Sequence, residues 1–304
     1  MATRFCVQAH YSRRNHLTLA VGDSLHFLKV LPSRTAQLVL TSPPYNVGKE
    51  YEEGKTLEEY LDYQKQVIRE CVRITRKGGS ICWQVGNHVR SSGDIVPLDI
   101  AFYQLFAEHS DLRLRNRIVW HFGHGVHCET RFSPRYETIL WYTKGDKYTF
   151  NLDTIRVPQK YPGKLAYHGA NHGRPSSNPK GKNPGDVWLI PNVKGSHVEK
   201  TSHPCQFPIA LAENLILALT NRGQLLIDPF LGSGTTAVAA LKNGRRAAGV
   251  DKEIKYIQIV RNRVKSLESG TLPYRPRNQP IFYPPRTTRL TTPPSGFLLQ
   301  NRES

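Results

Sequence analysis

The chain has 304 residues, 38% of them apolar and 22% charged, which is an ordinary globular composition with enough length to bury one large core or two modest ones. No stretch approaches the roughly 20 apolar residues that span a bilayer, and the opening MATRFCVQAHYSRR lacks the apolar core of a signal peptide, so the expectation is a cytoplasmic protein with no membrane partner. The 42 Lys and Arg against 24 Asp and Glu leave a net charge of +18, a surplus suited to a polyanion because neutralising phosphates releases counterions.

In chain order, HLTLAVGDSL reads as a short strand closed by a turn at Gly22, and AQLVLTSPPY as a second strand with the nearly continuous apolar run of a sheet covered on both faces. Thr56-Leu57-Glu58-Glu59 has capping-box spacing, and Leu57, Tyr60, Leu61, Val67, Ile68, Cys71 and Ile74 follow a 3.6-residue period, predicting a helix that ends at Gly78-Gly79. SICWQV reads as a strand, residues 97–108 as a helix, and RIVWHF and ETILWYT as two more strands. From 151 to 202 the texture changes to Gly, Pro, Asn, His, Lys and Arg, with eight Lys or Arg against three Asp or Glu between 151 and 200; such a segment is either disordered or a binding element. The α/β pattern returns with a helix from 207 to about 221, strand QLLIDPF, a helix over 235–242, strand RAAGVD and a helix over 253–266. After 267 the chain holds seven of its 21 prolines and reads as extended or partly disordered. Residues 1–150 and 203–266 are thus two halves of one α/β domain, separated by 151–202 and followed by the tail 267–304. The five cysteines, Cys6, Cys71, Cys82, Cys128 and Cys205, are scattered without zinc spacing, so reduced thiols and no metal are expected. The histidines of HFGHGVH lack acidic or cysteine partners at suitable spacing and suit nucleic-acid contact or a loop role better than metal ligation.

In an open parallel sheet, ligands bind at the carboxyl ends of strands near the point where strand order reverses. Two polar loops occupy such ends. TSPPYNVGKEYEEGK, residues 41–55, begins with a polar residue, two prolines and an aromatic, a rigid corner carrying a ring. DPFLGSGTTAVAA, residues 228–240, runs from strand through acid and glycine turn into a helix: Gly232 and Gly234 let backbone approach a ligand, and Thr235 or Thr236 is placed to cap the helix. Asp228 suits an ammonium better than a pyrophosphate, and neither a G-x-x-x-x-G-K-[ST] nor a G-x-G-x-x-G pattern occurs here. Asp251 ends the strand of AAGVDKE where an acceptor for ribose hydroxyls would stand; capping the helix of KEIKYI is the rival reading, as capping the turn before LHFL is for Asp23.

TSPPY and DPFLGSGTT, in that order with a variable basic region between them, and supported by AVGDSL and SHPCQFP, resemble the S-adenosylmethionine-dependent amino DNA methyltransferases of the circularly permuted class β, over residues 17–265. The resemblance implies an α/β, Rossmann-like methyltransferase fold: a largely parallel twisted sheet, helices on both faces and a basic target-recognition insertion. It implies a catalytic clamp of Ser42, Pro43, Pro44 and Tyr45, in which Ser42 and the Pro43 carbonyl accept from the exocyclic amine of a flipped base and Tyr45 stacks on it. It further implies S-adenosylmethionine as cofactor, with Asp228, Phe230, Gly232, Gly234 and Thr235 around its methionine portion, Asp251 at the ribose, Asp23 near the adenine, and His203 and Phe207 on the cofactor side. Double-stranded DNA is the implied partner, with Arg131, Arg135, Arg156, Arg174, Lys180 and Lys182 as contacts, mostly to phosphates. A cognate restriction endonuclease acting on the same sequence, and a monomer or homodimer, go with that reading.

Ser first in the clamp, and HPCQFP in place of HPTQKP, incline the resemblance towards cytosine N4, with adenine N6 the alternative. A protein-glutamine methyltransferase would need neither the basic insertion nor +18. A DNA binder that retained the fold without catalysis is the rival from another class. The Pro204-Cys205 pair is reminiscent of cytosine-C5 enzymes, but it stands upstream of the cofactor loop and not in the catalytic position, so Cys205 is not read as a nucleophile.

Overall fold

The computed structural model describes residues 4–45, 56–90, 92–123, 125, 127–282, 285, 288 and 292; residues 46–55 of the first polar loop, His124 and most of the tail after 282 lie outside them. The chain opens with β1 (Val7–Gln8), β2 (Leu17–Val21), α1 (Ser24–Lys29), β3 (Ala36–Thr41), α2 (Leu57–Ile74) and β4 (Thr75–Val85). The short pair β5 (Asn87–Val89) and β6 (Ile95–Pro97), α3 (Leu98–Ala107), β7 (Leu112–His121) and β8 (Tyr136–Lys144) follow. Beyond 151 come β9 (Val187–Leu189), α4 (Ile209–Leu219), β10 (Leu225–Asp228), α5 (Thr235–Lys242), β11 (Arg246–Asp251) and α6 (Ile254–Glu268).

All strands except β5 and β6 form one nine-stranded sheet in the order β1-β2-β11-β10-β3-β4-β8-β7-β9. From β1 to β4 every neighbour is parallel, and β8 then pairs antiparallel with β4 and β7. The alternation of side chains along each central strand explains the two-sided burial. Leu38 and Leu40 of β3 and Leu226 of β10 face the layer of α4, α5 and α6. Val39, Leu225 and Ile227 face the layer of α1, α2 and α3. Within the second layer Trp83 of β4 is fully buried, its ring centroid 5.6 Å from those of Phe102 and Phe106 and 6.3 Å from that of Phe230.

Strand order reverses between β10 and β3. From β10 the chain passes through α5 to β11 on one side; from β3 it passes through α2 to β4 on the other. The two polar loops singled out in the sequence therefore leave adjacent strands at the switch point.

One expectation needs correction, and one alternative is narrowed. The helix α2 ends at Ile74, before Gly78-Gly79: Thr75 turns extended, its backbone N–H and its hydroxyl (2.7 Å) both donating to the Cys71 carbonyl. The glycines lie instead inside β4, where a Cβ on Gly79 would sit 2.9 Å from the Gln37 carbonyl oxygen of the neighbouring strand. The segment 151–202 is a folded, irregular excursion. Asn151 donates to the Leu217 and Thr220 carbonyls at the end of α4, Val157 pairs with Lys182, and Ile155, Trp188 and Ile190 enter the core beside α4.

The capping box at Thr56 is present: Glu59 N–H donates to the Thr56 hydroxyl at 3.2 Å and Thr56 N–H to the Glu59 carboxylate at 2.9 Å. Thr56→Ala removes one of these bonds, and urea denaturation is expected to show a loss of about 1 kcal/mol.

Candidate active site

β3 delivers Thr41 to the switch point and β10 delivers Asp228 beside it. The Thr41 hydroxyl donates to the Asp228 carboxylate at 2.6 Å, and Phe230 N–H donates to the same oxygen at 3.1 Å. Asp228 is buried and forms no ion pair among the described residues. Burial pushes its carboxyl up to about 6, against the pull of its hydrogen bonds.

After Thr41, Ser42-Pro43-Pro44-Tyr45 turns away from the sheet. Tyr60 of α2 donates to the Pro44 carbonyl at 2.6 Å, fixing the corner to the helix; among the described residues no donor reaches the Pro43 carbonyl. The Tyr45 ring folds over Gly86, where a Cβ would come within 3.2 Å of it. Its hydroxyl donates to Glu137 of β8 at 3.1 Å, and Gln84 of β4 donates to the same carboxylate oxygen at 2.6 Å. The Ser42 hydroxyl lies 2.9 Å from the Tyr45 hydroxyl. A phenol has one proton and here Glu137 takes it, so Ser42 donates to Tyr45 and its own oxygen keeps its lone pairs for an incoming donor. Burial, followed by the charge of Glu137, holds the Tyr45 phenol well above its ordinary range, so it stays protonated. Burial also raises the Glu137 carboxyl, opposed by the bonds from Gln84 and Tyr45 and by Lys194.

On the other side of the switch point, the glycine turn is shaped by packing. Gly232 and Gly234 have φ of 50° and 73°. A Cβ on Gly232 would lie 2.9 Å from His203 Nε2, and one on Gly234 would strike Val260 of α6 at 2.5 Å, so neither position admits a larger residue. Gly234 is itself the N-cap of α5; no threonine side chain caps the helix as the sequence suggested, and the Thr235 hydroxyl donates instead to the Phe207 carbonyl at 3.1 Å. His203 is buried edge-on against Tyr256 with centroids 4.3 Å apart, and burial lowers it to about 4, so the imidazole is neutral. Asp251 accepts from Gly232 N–H and Glu253 N–H, both at 2.9 Å. It braces the turn, while Glu253 occupies the N-cap of α6. Asp23 is the N-cap of α1, accepting from His26 N–H at 2.9 Å and from the Tyr63 hydroxyl at 2.6 Å. The neighbouring Ser24 donates to the Pro229 carbonyl at 2.5 Å, so the β2, β3, β10 and β11 loop ends form one cluster.

The six cations expected at DNA divide. Arg131, Arg174 and Lys182 are exposed and Arg135 is half-buried, with one guanidinium N–H on the Pro134 carbonyl. Arg156 turns inward onto Asp153 at 2.7 Å and the Gly181 carbonyl at 3.0 Å, and Lys180 also pairs with Asp153, at 2.6 Å. Arg156 thus ties the excursion together. Thr41, Tyr60, Gln84 and Glu137 were missed in the sequence. The one available signal was Glu137, an acid heading the apolar run TILWY.

A family model described as DNA methylase, of the N6/N4 type, matches residues 36–262. The chain belongs to the N6/N4 DNA methylase family. It is 45% identical over 238 residues to the type II methyltransferase M.BglII of Bacillus subtilis, covering 78% of this chain and 66% of that protein. It is 38% identical to M.ScaI of Streptomyces caespitosus, covering 84% of both chains, and 34% identical to the DNA adenine methyltransferase YhdJ of Escherichia coli K12, covering 80% of both. Among solved structures, the cytosine-N4-specific PvuII DNA methyltransferase shares the fold with a TM-score of 0.63 at 18% identity, covering 84% of this chain and 92% of that one. TTHA0409 of Thermus thermophilus, solved with S-adenosyl-L-methionine, has a TM-score of 0.58 at 26% identity, covering 83% and 96%.

S-adenosylmethionine is the cofactor of this methylase family, and the residues at the switch point fit it. Asp228 is a buried carboxylate with no cation beside it among the described residues, and it adjoins a glycine turn that brings backbone close to a ligand; an amino acid ammonium requires an acceptor of that kind. Among the described residues no cluster of three or more His, Cys, Asp or Glu is placed to hold a metal.

Because the Thr41 hydroxyl stabilises the charged form of Asp228, its loss matters only where that group is ionised. Thr41→Val is expected to cost about 1–3 kcal/mol in denaturation well above pH 6, with the difference from wild type shrinking as pH falls through about 6 and Asp228 protonates.

Proposed function

We propose that this chain is a sequence-specific DNA methyltransferase that transfers a methyl group to the exocyclic N4 of a cytosine flipped out of double-stranded DNA. The observation that carries the reading is the polarity of the clamp: with Glu137 taking the Tyr45 proton and Tyr45 taking that of Ser42, the serine oxygen is left as an acceptor beside a rigid Pro-Pro corner. An exocyclic amine is a poor nucleophile while its lone pair is delocalised into the ring. Two acceptors, Ser42 Oγ and the Pro43 carbonyl, draw its hydrogens out of the ring plane and free that pair for attack. S-adenosylmethionine, when bound, supplies an electrophilic sulfonium methyl group. Asp228, Phe230 and the Gly232 to Thr235 turn bind its methionine portion and Asp251 lies towards its ribose, while His203, kept neutral, and Phe207 wall that side.

Ser42 at the head of the clamp and HPCQFP downstream support cytosine over adenine. The 34% identity to a DNA adenine methyltransferase supports the second reading, N6-adenine, on the same clamp, since either amine donates to the same acceptors. The net charge of +18 and the exposed cations Arg131, Arg174 and Lys182 support double-stranded DNA as substrate, with residues 123–202 as the target-recognition region. The names of M.BglII and M.ScaI support a place in a restriction-modification pair, opposite an endonuclease that cuts the same sequence.

Plasmid and genomic DNA treated with the purified protein and S-adenosylmethionine, then digested to nucleosides for mass spectrometry, is expected to contain N4-methylcytosine. N6-methyladenine would overturn the base assignment and keep the clamp. No methylated base would overturn the enzyme. Tyr45→Ala removes a base-stacking face and is expected to lower kcat/KM by roughly 10- to 100-fold in the same assay.

The ammonium of the cofactor pairs with ionised Asp228, whose carboxyl protonates near 6. Calorimetry of S-adenosylmethionine binding is expected to show affinity level above that pH and falling by up to about tenfold per pH unit below it. Asp228→Asn is expected to bind weakly throughout and to lose most of the slope.

A further inference from the structure

Flipping a base out of a duplex leaves a gap in the stack, and the partner base and its neighbours close it unless something apolar takes the space. Residues 127–135, which lead into β8, are placed to provide it. Because β8 runs antiparallel to β4, with Val85 opposite Thr138, this loop emerges at the same end of the sheet as the clamp after β3. Its root touches the clamp directly, since Glu137, one residue into β8, receives the Tyr45 hydroxyl at 3.1 Å.

The loop is braced at several points. Phe122 N–H donates to the Arg135 carbonyl at 3.0 Å across its base, and Cys128 N–H to the Ser133 hydroxyl at 3.0 Å across its far part. Gly125 lies so close to the returning limb of the loop that a Cβ would meet the Pro134 carbonyl oxygen at 2.9 Å. Held out by that bracing, Phe132 is 99% exposed, the most exposed large hydrophobic side chain among the described residues. A single exposed apolar residue is ordinary. Phe132, however, follows Arg131, an exposed cation suited to a phosphate beside a base step, and stands five residues from Glu137, a span of at most about 17 Å of extended chain.

We propose that Phe132 is the wedge that enters the duplex and occupies the space vacated by the target base, holding the base in the clamp beside Tyr45. The inference rests on the DNA methyltransferase reading above. Phe132 does not touch the reacting atoms; it is a positioning residue that acts by keeping the flipped state populated.

The test uses the full chain, S-adenosylmethionine and a duplex oligonucleotide carrying the site found methylated on plasmid DNA. A second duplex is identical except for an abasic position opposite the target, where there is no partner base to displace and flipping needs no wedge. Phe132→Ala is expected to methylate the paired duplex at least about tenfold more slowly than wild type, and to come within about threefold of it on the abasic duplex. Phe132→Trp, which keeps a flat apolar face, is expected to keep most of the activity on both. Unchanged S-adenosylmethionine binding by Phe132→Ala shows that the variant is folded. Equal losses on the two duplexes, or no loss on either, would overturn the wedge while leaving the methyltransferase reading intact. Failure of the wild-type protein to methylate any DNA would overturn that reading, and the wedge with it.

Discussion

The hydrogen bond from Thr41 to Asp228 joins the two halves of this protein at the place where its chemistry is proposed. β3 and β10 are neighbours in the sheet but 187 residues separate the bonded pair in sequence, and each strand ends in a loop that has no use alone. The bond holds the two strand ends in register and also stabilises a carboxylate that burial has made expensive, since Asp228 lies in the interior with no cation beside it among the described residues. A buried charge without a partner is costly, and an opposite charge placed beside it relieves that cost.

Around that bond the site is rigid on both sides for different reasons. On the clamp side, proline fixes the backbone, Tyr60 ties the corner to α2, and the chain Ser42, Tyr45, Glu137, Gln84 gives each hydroxyl one direction in which to donate. On the donor side the glycine turn has no room to move, with His203 against Gly232 and Val260 against Gly234, and Asp251 accepting from the turn's N–H. For the proposed reaction, acceptors and a turn fixed in this way remove the reorganisation that free side chains would need. In both cases the bracing group comes from a distant element: β8 for the clamp, the segment before α4 for the turn.

The basic surplus has a complementary distribution. Arg156 and Lys180 are consumed in holding the 151–202 excursion together around Asp153, while Arg131, Arg174 and Lys182 remain outward. Charge counted in sequence therefore overstates what is available to a polyanion at this face. The excursion is irregular because it pairs little backbone with the sheet, yet Ile155, Trp188 and Ile190 anchor it in the core beside α4.

By itself the sequence determined most of the elements and the family to which the chain belongs. The continuous apolar runs of β3 and β10 reported a sheet covered on both faces, Thr56 and Glu59 reported the start of α2, and TSPPY and DPFLGSGTT reported two polar loops at strand ends, because each of these signals is local and needs only its neighbours in the chain. The end of α2 was misplaced for the same reason: Gly78-Gly79 looks like a helix stop locally, and only the approach of β3 shows why glycine is needed there. Which carboxylates do what was decided by the tertiary structure. Asp23 and Asp251 look alike in sequence, but one caps α1 beneath Tyr63 and the other braces Gly232. Glu137 carried only a weak local signal, an acid heading the apolar run TILWY. Its role depends on β8 lying antiparallel beside β4, which brings a half-buried acid to Tyr45 from 92 residues away, and no local pattern records a pairing made across that distance.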